Sequence, residues 1–206
     1  MPSPVRHLVI FTRVPRLGRV KSRLAAGAGA AAALGFHRDT SRAVILRLAR
    51  DPRWRCWLAV TPGVGETLPW RTGCSSFAQG AGDLGRRMAR AMRRLPPGPV
   101  VLVGSDIPAI RPAHIARAFR VLAGRDAVFG PAPDGGYWLV GLTRRPRFID
   151  PFAGVRWSTP CALADTLANL EGRRWALVDR LEDVDNTVAW REQRAHAGRV
   201  VRPPGP

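Results

Sequence analysis

The stretch Val100-Val101-Leu102-Val103 is apolar at every position and ends abruptly at Gly104-Ser105-Asp106-Ile107-Pro108. A strand with one wet face alternates apolar and polar residues, whereas a strand with no polar position is buried on both faces. Burial on both faces requires helices above and below a sheet whose strands run largely in parallel. The rest of the chain supplies the parts. Val5–Thr12, Trp54–Thr61, Ala127–Gly130, Tyr137–Leu142 and Trp175–Val178 have the short apolar runs of strands. Between them, Ala30–Arg50, Asp83–Leu95, Pro112–Ala123, Ser158–Leu170 and Thr187–Ala197 have helical spacing, with Ser158 placed to cap the fourth. On the buried face of the first, His37 and Ser41 share the stripe with Leu34, Val44, Ile45 and Leu48. This predicts an α/β fold: a doubly wound, mostly parallel sheet with helices on both faces. Residues 1–198 are expected to form a single domain and 199–206 a disordered tail.

Composition narrows the function classes. The chain has 206 residues, 46% hydrophobic and 23% charged, which is the balance of a globular protein. It has no apolar run near the roughly 20 residues of a membrane span, and its start, MPSPVRHLVIF, lacks the features of a secretory leader. A cytoplasmic protein without membrane insertion is expected. Cys56, Cys74 and Cys161 are odd in number and lack C-x-x-C spacing, so neither a disulfide framework nor a zinc site is indicated. Histidines 7, 37, 114 and 196 show no ligand spacing. The net charge of +18 suggests nucleic acid, but it comes from 32 arginines and one lysine spread over every segment. A dedicated binder gathers its cations in a stripe with stacking aromatics. No specific nucleic-acid partner is expected.

In sheets of this kind ligands collect at the carboxyl ends of strands. After the first predicted strand comes FTRVPRLGRVKSRLA, with four arginines and Lys21, the chain's only lysine. Gly18 lets the backbone approach a ligand, and Arg13, Lys21 and Arg23 can converge on a di- or triphosphate. The plain alternative is a solvated basic loop. It is neither a Walker loop nor a dinucleotide fingerprint, since both glycine patterns are missing. Asp106, at the end of the fully apolar strand, suits Mg²⁺ or Mn²⁺ carried in with a nucleotide; otherwise it caps a turn. A second acidic cluster, Glu182-Asp183-Val184-Asp185, follows the last strand and either shares that metal or caps a helix. Pro133-Asp134-Gly135-Gly136-Tyr137-Trp138 has hairpin-turn chemistry. Equally, its glycines admit a sugar or base, with Asp134 accepting from hydroxyls.

The motifs FTRVPRLGRVKSRLA, QGAGDLGRRM, GSDIP and GPAPDGGYWLVGL occur here in an order that resembles the rSAM/selenodomain-associated transferases. VRWSTPCALADT and LEDVDN extend the likeness over about residues 7 to 187. These are small bacterial proteins of the nucleotide-diphospho-sugar transferase (GT-A) fold, often named glycosyltransferases. The pattern is more distantly similar to guanylyltransferases acting on molybdopterin and phospholactate. The resemblance implies that Arg13, Gly18, Lys21 and Arg23 bind nucleotide phosphates, and that Asp106 and then Asp185 hold Mg²⁺ or Mn²⁺. It puts Gln79, Gly82 and Asp83 near the base or ribose. Asp134, Gly135, Gly136 and Tyr137 fall near the transferred group or acceptor, which Trp157, Ser158 and Thr159 close off. Asp106 stands in S-D-I rather than D-x-D.

The resulting expectation is a metal-dependent transferase that takes a nucleotide-activated donor, an NDP-sugar, and a small-molecule acceptor. Asp106, Lys21 and Asp134 carry the catalysis, with Asp134 as base. Two rivals stand beside it: a nucleotidyltransferase moving NMP from an NTP to a phosphorylated acceptor, and a non-catalytic nucleotide- or RNA-binding module. Sugar, base, acceptor and oligomeric state are not legible.

Overall fold

The structure is a computed structural model that describes residues 4–61, 68–144 and 147–181. The predicted last helix, the tail and the Glu182–Asp185 cluster lie outside the described residues. In chain order the elements are β1 (His7–Arg13), α1 (Ser22–Ala28), α2 (Ala30–Ala49), β2 (Arg55–Thr61), β3 (Ser75–Ala78) and α3 (Leu84–Arg94). They continue with β4 (Val100–Gly104), α4 (Pro112–Leu122), β5 (Ala127–Pro131), β6 (Tyr137–Leu142), α5 (Ala162–Ala168) and β7 (Trp175–Leu177).

The seven strands form one sheet in the order β3-β2-β1-β4-β6-β5-β7. Every pairing is parallel except those of β6, which runs antiparallel between β4 and β5. The expected α/β class is therefore the fold observed. Strand periodicity sorts the core into two layers. Leu8, Ile10, Val101 and Val103 point to one side, against Val44, Ile45 and Leu48 of α2 and Ile115, Phe119 and Leu122 of α4. Val9, Val100 and Leu102 point to the other, against Met88, Ala89 and Met92 of α3, with Leu163 and Leu167 of α5 at its margin. β4 is fully apolar because it stands mid-sheet between both layers.

Two sequence expectations need correction. Ser158 does not cap the fourth predicted helix: it sits at φ 61°, and α5 begins at Ala162 with Cys161 ahead of it. β3 and α1 appear where no element was expected. β3 reads Ser-Ser-Phe-Ala, and an edge strand that buries little needs no apolar alternation.

Candidate active site

β1 and β4 are neighbours and run the same way, so the basic loop after β1 and Asp106 after β4 emerge side by side. Lys21 Nζ lies 2.9 Å from Asp106 Oδ2, with the lysine side chain 5% exposed and the aspartate 37%. Lys21 holds the left-handed conformation (φ 47°, ψ 54°) just before α1. That conformation is sparsely populated by residues with a Cβ. The Asp106 carboxylate folds back over Gly104, where a Cβ would come within 2.8 Å of Oδ1.

Asp106 is shared by two cavities, which also have Phe11, Leu84 and Gly104 in common. The first, about 450 Å³, is cationic: Arg13, Lys21, Arg23 and Arg87 line it beside His37, with Gln79 at its floor. Burial depresses the Arg87 pKa, and the nearby charge of Arg13 depresses it further. Like charges facing one cavity repel each other and favour a polyvalent anion between them.

A buried polar network fixes this cavity. Ser105 donates from its hydroxyl to Thr12 Oγ1 (3.0 Å) and is 3.0 Å from Ser41 Oγ, while its N–H donates to Phe11 O (3.0 Å). Gln79 Nε2 donates to Thr12 O (3.2 Å) and Ala59 O (2.9 Å), and Gln79 Oε1 accepts from Arg87 (2.8 Å). His37 Nε2 donates to Arg13 O (3.0 Å), which leaves Nδ1 buried without a partner. The ring is therefore neutral, and burial holds its pKa below the ordinary 6.5.

The second cavity, about 290 Å³, has a different lining: Asp106, Asp134, Tyr137, Trp138, Trp157, Ser158 and Thr159. Asp134 Oδ1 accepts from the Gly136 N–H (2.9 Å), tying the turn between β5 and β6. Gly135 stands at φ 83°, and a Cβ there would come within 2.2 Å of Pro160 O. This contact locks the Asp134 turn onto the segment that carries Ser158 and Thr159. Tyr137 meets Phe129 and Trp157 edge-on at 5.3 and 6.3 Å, and its buried phenol is pushed to a higher pKa.

Of the residues singled out in the sequence, Arg13, Lys21, Arg23, Gln79 and Asp106 come together at the first cavity. Asp106, Asp134, Gly136, Tyr137, Trp157, Ser158 and Thr159 come together at the second. Gly18, Gly82, Asp83 and Gly135 line neither: Gly18 makes a left-handed turn (φ 70°), Asp83 caps α3 by accepting from Arg86 N (2.8 Å), and Gly135 faces Pro160 instead. Asp185 lies outside the described residues. The sequence reading missed Thr12, His37, Ser41, Arg87 and Ser105. Polar His37 and Ser41 on the apolar stripe of α2 were the available signal.

Solved structures share this architecture. A Desulfovibrio desulfuricans G20 protein put forward as a nucleotide-diphospho-sugar transferase is 25% identical over 94% of this chain and 97% of its own, with a TM-score of 0.81. CMP:2-keto-3-deoxy-manno-octonic acid synthetase, solved with CTP, is 13% identical over 96% of this chain and 100% of its own, at a TM-score of 0.61. Rv0371C of Mycobacterium tuberculosis H37Rv, solved with manganese, is 17% identical over 92% and 97%, at 0.50. The latter two likenesses concern the fold alone. The chain itself belongs to the DUF2064 family, described as an uncharacterized protein conserved in bacteria, whose model matches residues 44–159. No curated protein matches the sequence.

Proposed function

We propose that this protein is a metal-assisted transferase that takes a nucleotide-activated donor, most simply an NDP-sugar, and passes its sugar to a small-molecule acceptor. One observation carries the proposal: a lysine and an aspartate paired at 2.9 Å on the line where a cationic cavity meets an aromatic one. A diphosphate fits the cationic side, where Arg13, Arg87 and Lys21 offset its charge. The transferred group then lies beyond Asp106, against Tyr137 and Trp157.

Asp106 fits a divalent cation in a particular way. Among the described residues no three His, Cys, Asp or Glu side chains gather into a metal cage. Mg²⁺-type ions, however, are commonly held by one or two carboxylates together with substrate phosphates. Asp106, partly exposed between the cavities, supplies one; Asp185 is proposed as the other. A bound cation would neutralise charge on the leaving diphosphate. Lys21 then exchanges its carboxylate partner for a phosphate oxygen. Asp134 is the proposed base for an acceptor hydroxyl, since it lines the acceptor side.

Sugar transfer is favoured over nucleotidyl transfer by the chemistry of the second cavity. Two carboxylates, aromatic faces and the Ser158 and Thr159 hydroxyls suit a neutral polyol. A phosphorylated acceptor would face Asp134 there, with no Lys, Arg or His among the lining residues to offset it. The narrower assignment to rSAM/selenodomain-associated transferases rests on motif order, as does a cytoplasmic setting on composition. Within the described residues, no helix is long and apolar enough to cross a membrane.

The test is a thermal-shift panel of NTPs, NDPs and NDP-sugars with and without Mn²⁺, since a ligand of the folded state stabilises it by mass action. An NDP-sugar should give the largest Mn²⁺-dependent shift, and Asp106→Ala should abolish its metal-dependent part. No metal-dependent shift, or one unchanged in Asp106→Ala, overturns the proposal. NDP-sugar hydrolysis then supports sugar transfer; pyrophosphate release from an NTP with a phosphorylated acceptor supports the nucleotidyl rival. Asp134→Asn should keep the Gly136 hydrogen bond and the melting temperature while lowering acceptor-dependent turnover by about 10²-fold or more.

A further inference from the structure

The three cysteines show no motif in sequence, yet the sheet brings two of them together. β2 and β3 pair in parallel with Trp57 opposite Ser75, so Cys56 and Cys74 are the next pair along that register. Side chains alternate along a strand. Cys56 accordingly shares a face with Leu58 and Val60, and both cysteines pack against the same core layer. Neighbouring strands lie about 4.8 Å apart, within the 4.4–6.8 Å that separates the Cα atoms of bridged cysteines. Both thiols are free and half-buried.

We propose that Cys56 and Cys74 are a reversible oxidation site that closes a disulfide between β2 and the edge strand β3. The two thiols differ in a way that suits the reaction. The neighbouring Cys56 thiol lowers the Cys74 pKa to about 7, whereas the Cys56 thiol is raised. Cys74 is therefore the nucleophile at neutral pH. With hydrogen peroxide as oxidant, the Cys74 thiolate attacks one oxygen and breaks the O–O bond, giving a sulfenic acid and, after protonation, one water. Cys56 then attacks that sulfur, forming the S–S bond and releasing the second water. Two thiols and one peroxide give one disulfide and two waters. The bond would anchor the strand that leads directly into Gln79, whose amide holds the carbonyls of Thr12 and Ala59 under the cationic cavity.

Peptide mapping tests this on the full chain. Trypsin cuts after Arg55, Arg71 and Arg86, so Cys56 and Cys74 fall in separate peptides, 56–71 and 72–86. After one equivalent of peroxide and digestion without reductant, these two peptides should appear linked, with Cys161 still a thiol. Dithiothreitol should release them. Recovery of Cys74 as sulfinic acid, or linked to Cys161 of a second molecule, with Cys56 unmodified, overturns the proposal. A second measurement needs no oxidation. Alkylation of Cys74 at neutral pH should slow roughly tenfold in Cys56→Ala, which removes the neighbouring thiol. Cys56→Ser should restore part of the rate. Equal rates in all three proteins would show that the thiols do not touch, and the idea fails.

Discussion

The two cavities meeting at Asp106 are built by opposite means. The cationic one is held by polar groups satisfied beneath it: Gln79, Ser105, Ser41 and Thr12 fix the strand ends, and like-charged Arg13 and Arg87 are left facing a common space. The aromatic one is held by contact. Gly135 lies against Pro160, and Tyr137 is wedged between Phe129 and Trp157. Charge is stored where a polyvalent anion is to be held, and shape where a particular group is to be selected. Damage to the first should therefore appear mainly in binding, and damage to the second mainly in folding.

The sharpest break of that contrast is Gly135→Ala. Its Cβ would collide with backbone at 2.2 Å in a conformation that already disfavours a side chain. A loss on the order of 3 kcal/mol is expected, a fall of roughly 6–12 °C in melting temperature. Gly18→Ala, also at positive φ but with nothing within 4 Å, should cost about 1 kcal/mol. Similar losses at both sites would show that contact does not hold the aromatic side.

Next comes Lys21→Met, which removes a charge-assisted partner of about 1.5–3 kcal/mol, or roughly 10–150-fold in nucleotide affinity. Trp157→Ala should leave that affinity within about twofold, by isothermal titration. A third effect is acid sensitivity. His37 and His7 are both held neutral by burial, with His7 Nδ1 accepting from Trp57. The unfolded chain takes up protons below the ordinary 6.5 that the folded chain resists. Stability is therefore full above that value and falls as pH drops through the lowered folded values. His37→Gln should flatten part of this fall in urea denaturation series, and the remainder should follow His7. The smallest effect belongs to Tyr137→Phe, since its hydroxyl reaches Thr166 only at 3.4 Å: about 0.5 kcal/mol.

These comparisons also show what the sequence could convey. The all-apolar run at 100–103 announced a strand covered on both faces, and turn residues marked where the chain leaves the sheet. What was not legible depends on pairing. The hairpin chemistry of Asp134-Gly135-Gly136 pointed to the β5–β6 pairing, but nothing in Tyr137–Leu142 states that it also runs against β4, because an apolar run reads the same in either direction. Cys56 and Cys74 have no recognisable spacing until β3 is laid beside β2. Gln79 stood out for its glycine-rich setting, yet it spans the ends of β1 and β2, a task visible only once they are adjacent. Ser158 misled because a serine ahead of a helical run resembles a cap, while the local backbone turns left-handed instead.

The reversed strand β6 has a consequence for how such a protein diversifies. Because it returns between β4 and β5, the β5–β6 bend projects over the same rim as Asp106 while sharing no covalent neighbours with the basic loop. Lengthening or regrafting that bend would redraw the acceptor wall and leave the anion grip intact. One scaffold can thus exchange its customers without relearning how to hold its coin.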